Sequence, residues 1–193
     1  MTNPQVRTPA KKVDRRSELI TAAQHLLETE GGDAITIRRL GAAVGIRGPS
    51  VYKHVPDKAT IEHELVVICF TAQTEAPQGA PRTFAALADA YRTWALAHPH
   101  MHRLLHDRPL DRSRLPKGLE ERAAAPLITA CHGDQAMARA AWATIMGLVD
   151  LELADRFPPG ADLAAVYAAA ARAYASTGPP PATPEPTRSE GRP

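Results

Sequence analysis

Apolar residues fall in stripes at helical spacing, separated by short polar breaks. From Val13 to Glu30 the apolar positions are Leu19, Ile20, Ala22, Ala23, Leu26 and Leu27, which predicts a helix with one buried stripe. Gly31-Gly32 stops it, because glycine supplies a left-handed C-terminal cap without a Cβ clash. Thr36 is a good N-cap for a helix over 37–44, with Leu40 and Val44 on one face. Gly45 interrupts. A second short helix is expected from Gly48 or Pro49 to about His54, since proline suits a first helical position. Asp57 then caps a longer helix over 58–75, which carries the run Leu65-Val66-Val67-Ile68-Cys69-Phe70.

Beyond the Pro77–Pro81 break the spacing predicts helices over 82–97, 99–107, 116–132, 134–156 and 161–176. Pro126 is expected to kink or split the third of these. No segment alternates with period two, so the expected fold is all-α with about nine helices. Residues 1–12 read as a disordered basic arm, and 177–193, with six prolines in 17 residues, as a disordered Pro-rich tail. Between them lie a three-helix N-terminal domain over 13–60 and a helical bundle over 61–176.

Two cysteines in 193 residues exclude a secreted disulfide scaffold and point to a reducing, cytoplasmic setting. The N-terminal stretch has no apolar core, so no secretory signal is expected. The longest apolar run is six residues, far short of the roughly twenty needed to span a membrane. Charge is unevenly placed. Residues 1–60 hold ten Lys/Arg against six Asp/Glu, whereas 61–193 hold 13 against 15. A basic N-terminal third on a near-neutral body suggests that one end meets a polyanion.

Residues 36–55 carry the chemistry that fits this charge. Two short helices flank a tight turn at Val44-Gly45-Ile46, the layout of a helix-turn-helix whose second helix lies exposed. Arg47 offers a forked donor, and Gly48 and Ser50, around Pro49, permit close backbone approach. Tyr52, Lys53 and His54 can reach phosphates or base edges, and Lys58 lies in phosphate reach on the next helix. The helix N-terminus at Thr36 adds backbone N–H donors.

Residues 15–65 resemble the DNA-binding domain of the TetR/AcrR family of bacterial transcriptional regulators. The resemblance rests on Leu19-Ile20-Thr21-Ala22-Ala23, Gly31, Thr36-Ile37-Arg38, Gly45, and the stretch Tyr52-Lys53-His54-Val55-Pro56-Asp57-Lys58. It adds Arg38 to the DNA-contacting set. Three positions depart from the family pattern: Gly41 stands where alanine is usual, Arg47 where a Ser or Thr cap is usual, and Val55 where phenylalanine is usual. Tyr91-Arg92-x-Trp94 with His98-Pro99-His100, and later Trp142 to Glu152, resemble the C-terminal half of one subgroup.

The resemblance implies a small-molecule effector in the C-terminal helices and a palindromic double-stranded operator, most simply a repressor system. Phe84, Tyr91, Trp94, Met101, His102, Leu105, Trp142 and Met146 are the candidates to line the effector pocket. A homodimer is expected, because a single module buries only about 600–1,000 Å² on DNA and a two-fold pair can read two half-sites. Ala138, Ala141 and Ile145 on one late helix, and Ala164, Ala168 and Ala171 on the other, are the expected dimer face.

Two competing classes remain. His102 and His106 are four apart and suit a metal-responsive regulator, but no acidic residue stands among the histidines at 98–106 and no metal-binding motif occurs. No nucleophile elbow, Walker loop or dinucleotide fingerprint supports a small helical enzyme. No cofactor is expected.

Overall fold

A computed structural model of the chain describes residues 14–107 and 109–175. The arm over 1–12 and the tail over 177–193 lie outside the described residues. Among those described there are nine α-helices and no strand. Contacts divide the described residues into two compact units, 14–72 with 98–107 and 109–116, and 73–97 with 117–175. The division differs from a single boundary near residue 60, because the segment over 98–116 groups with the N-terminal helices.

In the first unit α1 (Arg15–Glu30) starts at Asp14, whose carboxylate accepts from the Arg16 N–H at 3.1 Å and the Ser17 hydroxyl at 2.7 Å. It buries Leu19, Ala23, Leu26 and Leu27. Gly31 ends it, but not in the left-handed cap expected. Its φ of 86° and ψ of 176° lie in a region essentially reserved for glycine. The surroundings reinforce the requirement, since a Cβ there would lie 3.0 Å from Nδ1 of His100.

The next two helices are α2 (Ile37–Ala43) and α3 (Gly48–Val51), which pack on each other. Helix α3 is shorter than expected. Past Val51 the backbone tightens into turns, with Lys53 N–H donating to Ser50 O and His54 N–H to Val51 O. Helix α4 (Lys58–Glu75) is capped by Asp57, which accepts from the backbone N–H and hydroxyl of Thr60. These bonds hold the Asp57 carboxyl below its ordinary range. Ile61, Leu65 and Cys69 form a fully buried stripe with a spacing of four. Helix α6 (Pro99–His106) begins with proline, buries Met101, His102 and Leu105, and packs on α1.

The second unit contains α5 (Phe84–Ala97), α7 (Leu119–Ala130), α8 (Gln135–Leu153) and α9 (Leu163–Ala175). Its core joins Leu87, Tyr91 and Ala95 of α5 to Leu127 of α7 and to Ala141, Ile145 and Val149 of α8. Helix α7 starts at Leu119 rather than Pro116, because Gly118 adopts a left-handed turn at φ 79°. It then runs as one helix across Pro126 instead of splitting there. Asp134 caps α8 by accepting from the N–H groups of Ala136 and Met137.

Arg92 of α5 forms a two-point ion pair with Glu152 of α8, at 2.7 and 2.5 Å. Tyr167 of α9 donates its hydroxyl to the same carboxylate at 3.1 Å, and the guanidinium lies 4.9 Å from its ring centre. Three helices are thereby joined at one polar point. Phe84 stacks on Tyr174 with ring centres 4.5 Å apart, fixing α9 to α5 a second time.

The expected dimer face needs correction. Ala138, Ala141 and Ile145 are 6%, 0% and 1% exposed, so they belong to the core of one chain. Their stripe is the side of α8 that packs against α5 and α7 within the chain. Ala164 and Ala168 are exposed, and Ala171 is partly buried against the core.

Candidate functional site

The α2–α3 corner is built around its backbone. Thr36 Oγ1 accepts from the Arg39 N–H at 3.3 Å and so starts α2. Gly45 turns the chain at φ 72°, and the Ile46 N–H donates to Gly41 O at 2.8 Å. Leu40 and Gly41 of α2 and Val51 of α3 are buried, and Val55 behind them is 1% exposed. That side of the corner is thus apolar, and most of the polar residues around it are exposed.

Among the predicted DNA-contacting residues, Thr36, Arg38, Arg47, Pro49, Tyr52, Lys53, His54 and Lys58 are exposed, and Gly48 and Ser50 are half-buried. Tyr52 is 54% exposed, so its ring and hydroxyl are open to solvent. The cations divide into two groups. Arg39 is held by Glu30 in a two-point pair at 2.9 and 2.5 Å, Arg16 by Glu64 at 2.6 Å, and Lys58 by Glu62 at 3.2 Å. Arg38, Arg47 and Lys53 have no ion-pair partner among the described residues. Arg15 donates to Val44 O at 3.4 Å, which links α1 to the end of α2.

The second unit has a cavity of about 30 Å³, room for one or two waters. Two predicted effector residues, Tyr91 and Trp142, line it with Gln73, Leu87 and Ile145. Their rings meet edge to face at 4.9 Å. The Tyr91 hydroxyl donates to Met146 Sδ at 3.1 Å, and burial pushes its pKa well up, so it stays a phenol. Trp94 lies beside Tyr91 at 5.7 Å, whereas Phe84 is stacked on Tyr174. Neither lines the cavity. Met101, His102 and Leu105 belong to the first unit, buried on α6.

His102 and His106 lie with ring centres 4.8 Å apart, but no group of three or more potential metal ligands converges among the described residues. Two imidazoles fall short of the three or four ligands of a protein metal site.

Residues 84–174 match the family model described as Tetracyclin repressor-like, C-terminal domain. Over 162 residues the chain is 30% identical to an uncharacterized HTH-type transcriptional regulator of Mycobacterium tuberculosis, covering 77% of this chain and 73% of that one. The chain belongs to the TetR family of transcriptional regulators. Among solved structures, a protein of unknown function from Rhodococcus sp. RHA1 is similar at 25% identity and a TM-score of 0.67, covering 87% of this chain and 97% of that one. TetR from Acinetobacter baumannii AYE is similar in fold, at 19% identity and a TM-score of 0.57, covering 86% of this chain and 95% of that one.

Membership of the TetR family makes the chain a DNA-binding transcriptional regulator and not an enzyme. No helix among the described residues is long and apolar enough to cross a membrane. The departures from the TetR-family pattern now have physical content. Val55 is core, so its smaller side chain still fills a buried place. Arg47 sits at the N-cap of α3, where a guanidinium has no acceptor for a capping bond, and the residue is exposed. Gly41 is the position where a Cβ has no room.

The sequence reading missed Gln73. Its signal was present: Ile61, Leu65, Cys69 and Gln73 continue one stripe at intervals of four, and a glutamine on a buried stripe is unusual. It also missed the Arg92–Glu152–Tyr167 junction, whose members are 60 and 15 residues apart and share no local pattern.

Proposed function

We propose that the chain is a homodimeric, ligand-responsive repressor that releases a palindromic operator when a small, uncharged, apolar or amphipathic molecule binds its C-terminal unit. The observation that carries this reading is the segregation of cations at the helix-turn-helix. Arg38, Arg47 and Lys53 are exposed with no acidic partner among the described residues, while Arg16, Arg39 and Lys58 next to them are paired. Unpaired cations around an exposed turn are what a phosphate backbone neutralises. In this reading Arg47 and Ser50 contact bases, and Tyr52, Lys53 and His54 hold the phosphate backbone.

The cavity beside Tyr91 and Trp142 supports the effector half of the proposal. For release, the effector must bind the DNA-free conformation more tightly, because only differential affinity shifts an equilibrium. For the dimer we infer the outward sides of the last two helices, with Ala140, Ala143 and Gly147 on α8 and Ala164 and Ala168 on α9, all exposed. Small residues let helices of two copies approach closely.

A gel shift on the intergenic DNA upstream of the gene tests the DNA half. A discrete complex is expected, competed by the same DNA and not by an unrelated duplex. Indifference to sequence would sink the operator reading.

A further inference from the structure

Beside the C-terminal cavity lies a buried polar atom that the surrounding residues leave unmet. Gln73 lies near the end of α4 and is 6% exposed, and its Oε1 has no hydrogen-bond partner among the described residues. A buried carbonyl without a donor is costly, and such groups in native proteins call for a specific explanation. Gln73 lines the cavity together with Leu87, Tyr91, Leu127, Trp142 and Ile145. Among the described residues no Asp, Glu, Lys, Arg or His contributes to the lining. An ion entering this space would lose its water without gaining a counter-charge, so a neutral occupant is favoured.

The cavity's size and walls bear on how an occupant enters. At about 30 Å³ it takes one or two waters, so a larger molecule must widen it. Pro77, in the turn after α4, and Pro126, inside α7, both line it. Neither has a backbone N–H, so the wall at these points has fewer backbone hydrogen bonds to lose as it moves. The Tyr91 and Trp142 rings supply flat apolar contact.

We propose that Gln73 Oε1 is the recognition point for an uncharged aromatic effector bearing one hydroxyl or N–H donor, which places that donor on the orphaned oxygen and its ring among Leu87, Trp142 and Ile145. This rests on the effector-cavity reading above and adds the chemistry the effector must carry. Gln73 is then a specificity-determining residue, since it separates ring compounds with a donor from those without one.

The test uses the full chain and three probes: phenol, toluene and benzoate. Binding is followed by titration calorimetry and by Trp fluorescence, for the wild type and for Gln73→Met and Gln73→Leu. Phenol and toluene are expected to bind the wild type, and both substitutions are expected to lower the phenol-to-toluene affinity ratio about tenfold. Benzoate is expected not to bind where phenol saturates. Because each substitution removes an unmet carbonyl, both variants should melt at or above the wild-type temperature.

A ratio unchanged in both variants would overturn the role of Gln73 while leaving the cavity as the effector site. Failure of phenol and toluene alike to bind the wild type would remove the cavity reading and this proposal with it. Benzoate binding more tightly than phenol would overturn the neutral-ligand assignment. Variants that melt well below the wild type would mean that Oε1 has a partner within the protein, and the proposal would fall.

Discussion

A β-carbon on Gly41 would lie 2.7 Å from the carbonyl oxygen of Ile46, closer than such atoms approach. The same two residues are joined by the bond from the Ile46 N–H to Gly41 O at 2.8 Å. The turn is thus closed on both sides of Gly41, and the obstructing atom is backbone, which cannot swing away. The first prediction follows. Gly41→Ala should destabilise the N-terminal unit by about 1–3 kcal/mol through overpacking, although alanine favours helix elsewhere. Thermal denaturation of wild type and variant decides it. An unchanged or higher melting temperature would show that the corner can open without cost.

The second prediction concerns the unpaired cations. Lys53→Ala should weaken binding to every duplex and flatten the dependence of log affinity on log salt by about one unit. Arg47→Ala should cost about 1–3 kcal/mol and relax discrimination at one base pair. Arg39→Ala is the contrast, because its guanidinium is held by Glu30 and it should leave the salt slope nearly unaltered. Equal slopes for wild type and Lys53→Ala would place the phosphate contacts elsewhere.

These positions also show what the sequence could convey. The segment from Arg47 to His54 was legible because Gly45 and Pro49 punctuate it locally and Leu40 marks the buried side of α2. The need for glycine at Gly41 was not legible, since the clash comes from a carbonyl five residues on, after the chain has turned. The dimer face was misread for a related reason. Periodicity finds the apolar stripe of α8 at Ala138, Ala141 and Ile145 but cannot say whether one chain or two bury it. Likewise Met101 and Leu105 carry the composition of a pocket wall, yet α6 turns them toward the N-terminal unit, on α1. Such outcomes depend on which helices meet, and short-range spacing does not encode that.

The third prediction is a pH dependence. The Arg92 guanidinium holds the Glu152 carboxyl below its ordinary value of 4.5, aided by the Tyr167 hydroxyl. A lowered folded-state pKa means the pair stabilises fully above that ordinary value, and the stabilisation is lost as pH falls through the depressed folded value. Glu152→Gln should therefore lower stability at neutral pH by about 1.5–3 kcal/mol, the range for a hydrogen-bonded charge. It should also reduce the loss of stability below pH about 4.5. Melting curves from pH 3 to pH 7, roughly spanning that window, give the comparison. Parallel curves for wild type and variant would deny the ion pair any part in holding α5 to α8.

The fourth prediction separates the dimer face from the core on one pair of helices. Ala168 of α9 is exposed, whereas Ala141 of α8 is fully buried in the core of the second unit. A large cation at Ala168 has solvent to occupy in a single chain but collides with a partner helix in a dimer. Ala168→Arg should sediment near 20.8 kDa instead of twice that mass, keep its helical circular dichroism, and lose binding to a palindromic operator. At Ala141 the same charge has no partner and no space, so Ala141→Arg should unfold the C-terminal unit whatever the oligomeric state. A dimer that survives Ala168→Arg would move the two-fold axis off this part of α9. A well-folded Ala141→Arg would show instead that the side of α8 facing α5 and α7 is open enough to receive a second copy.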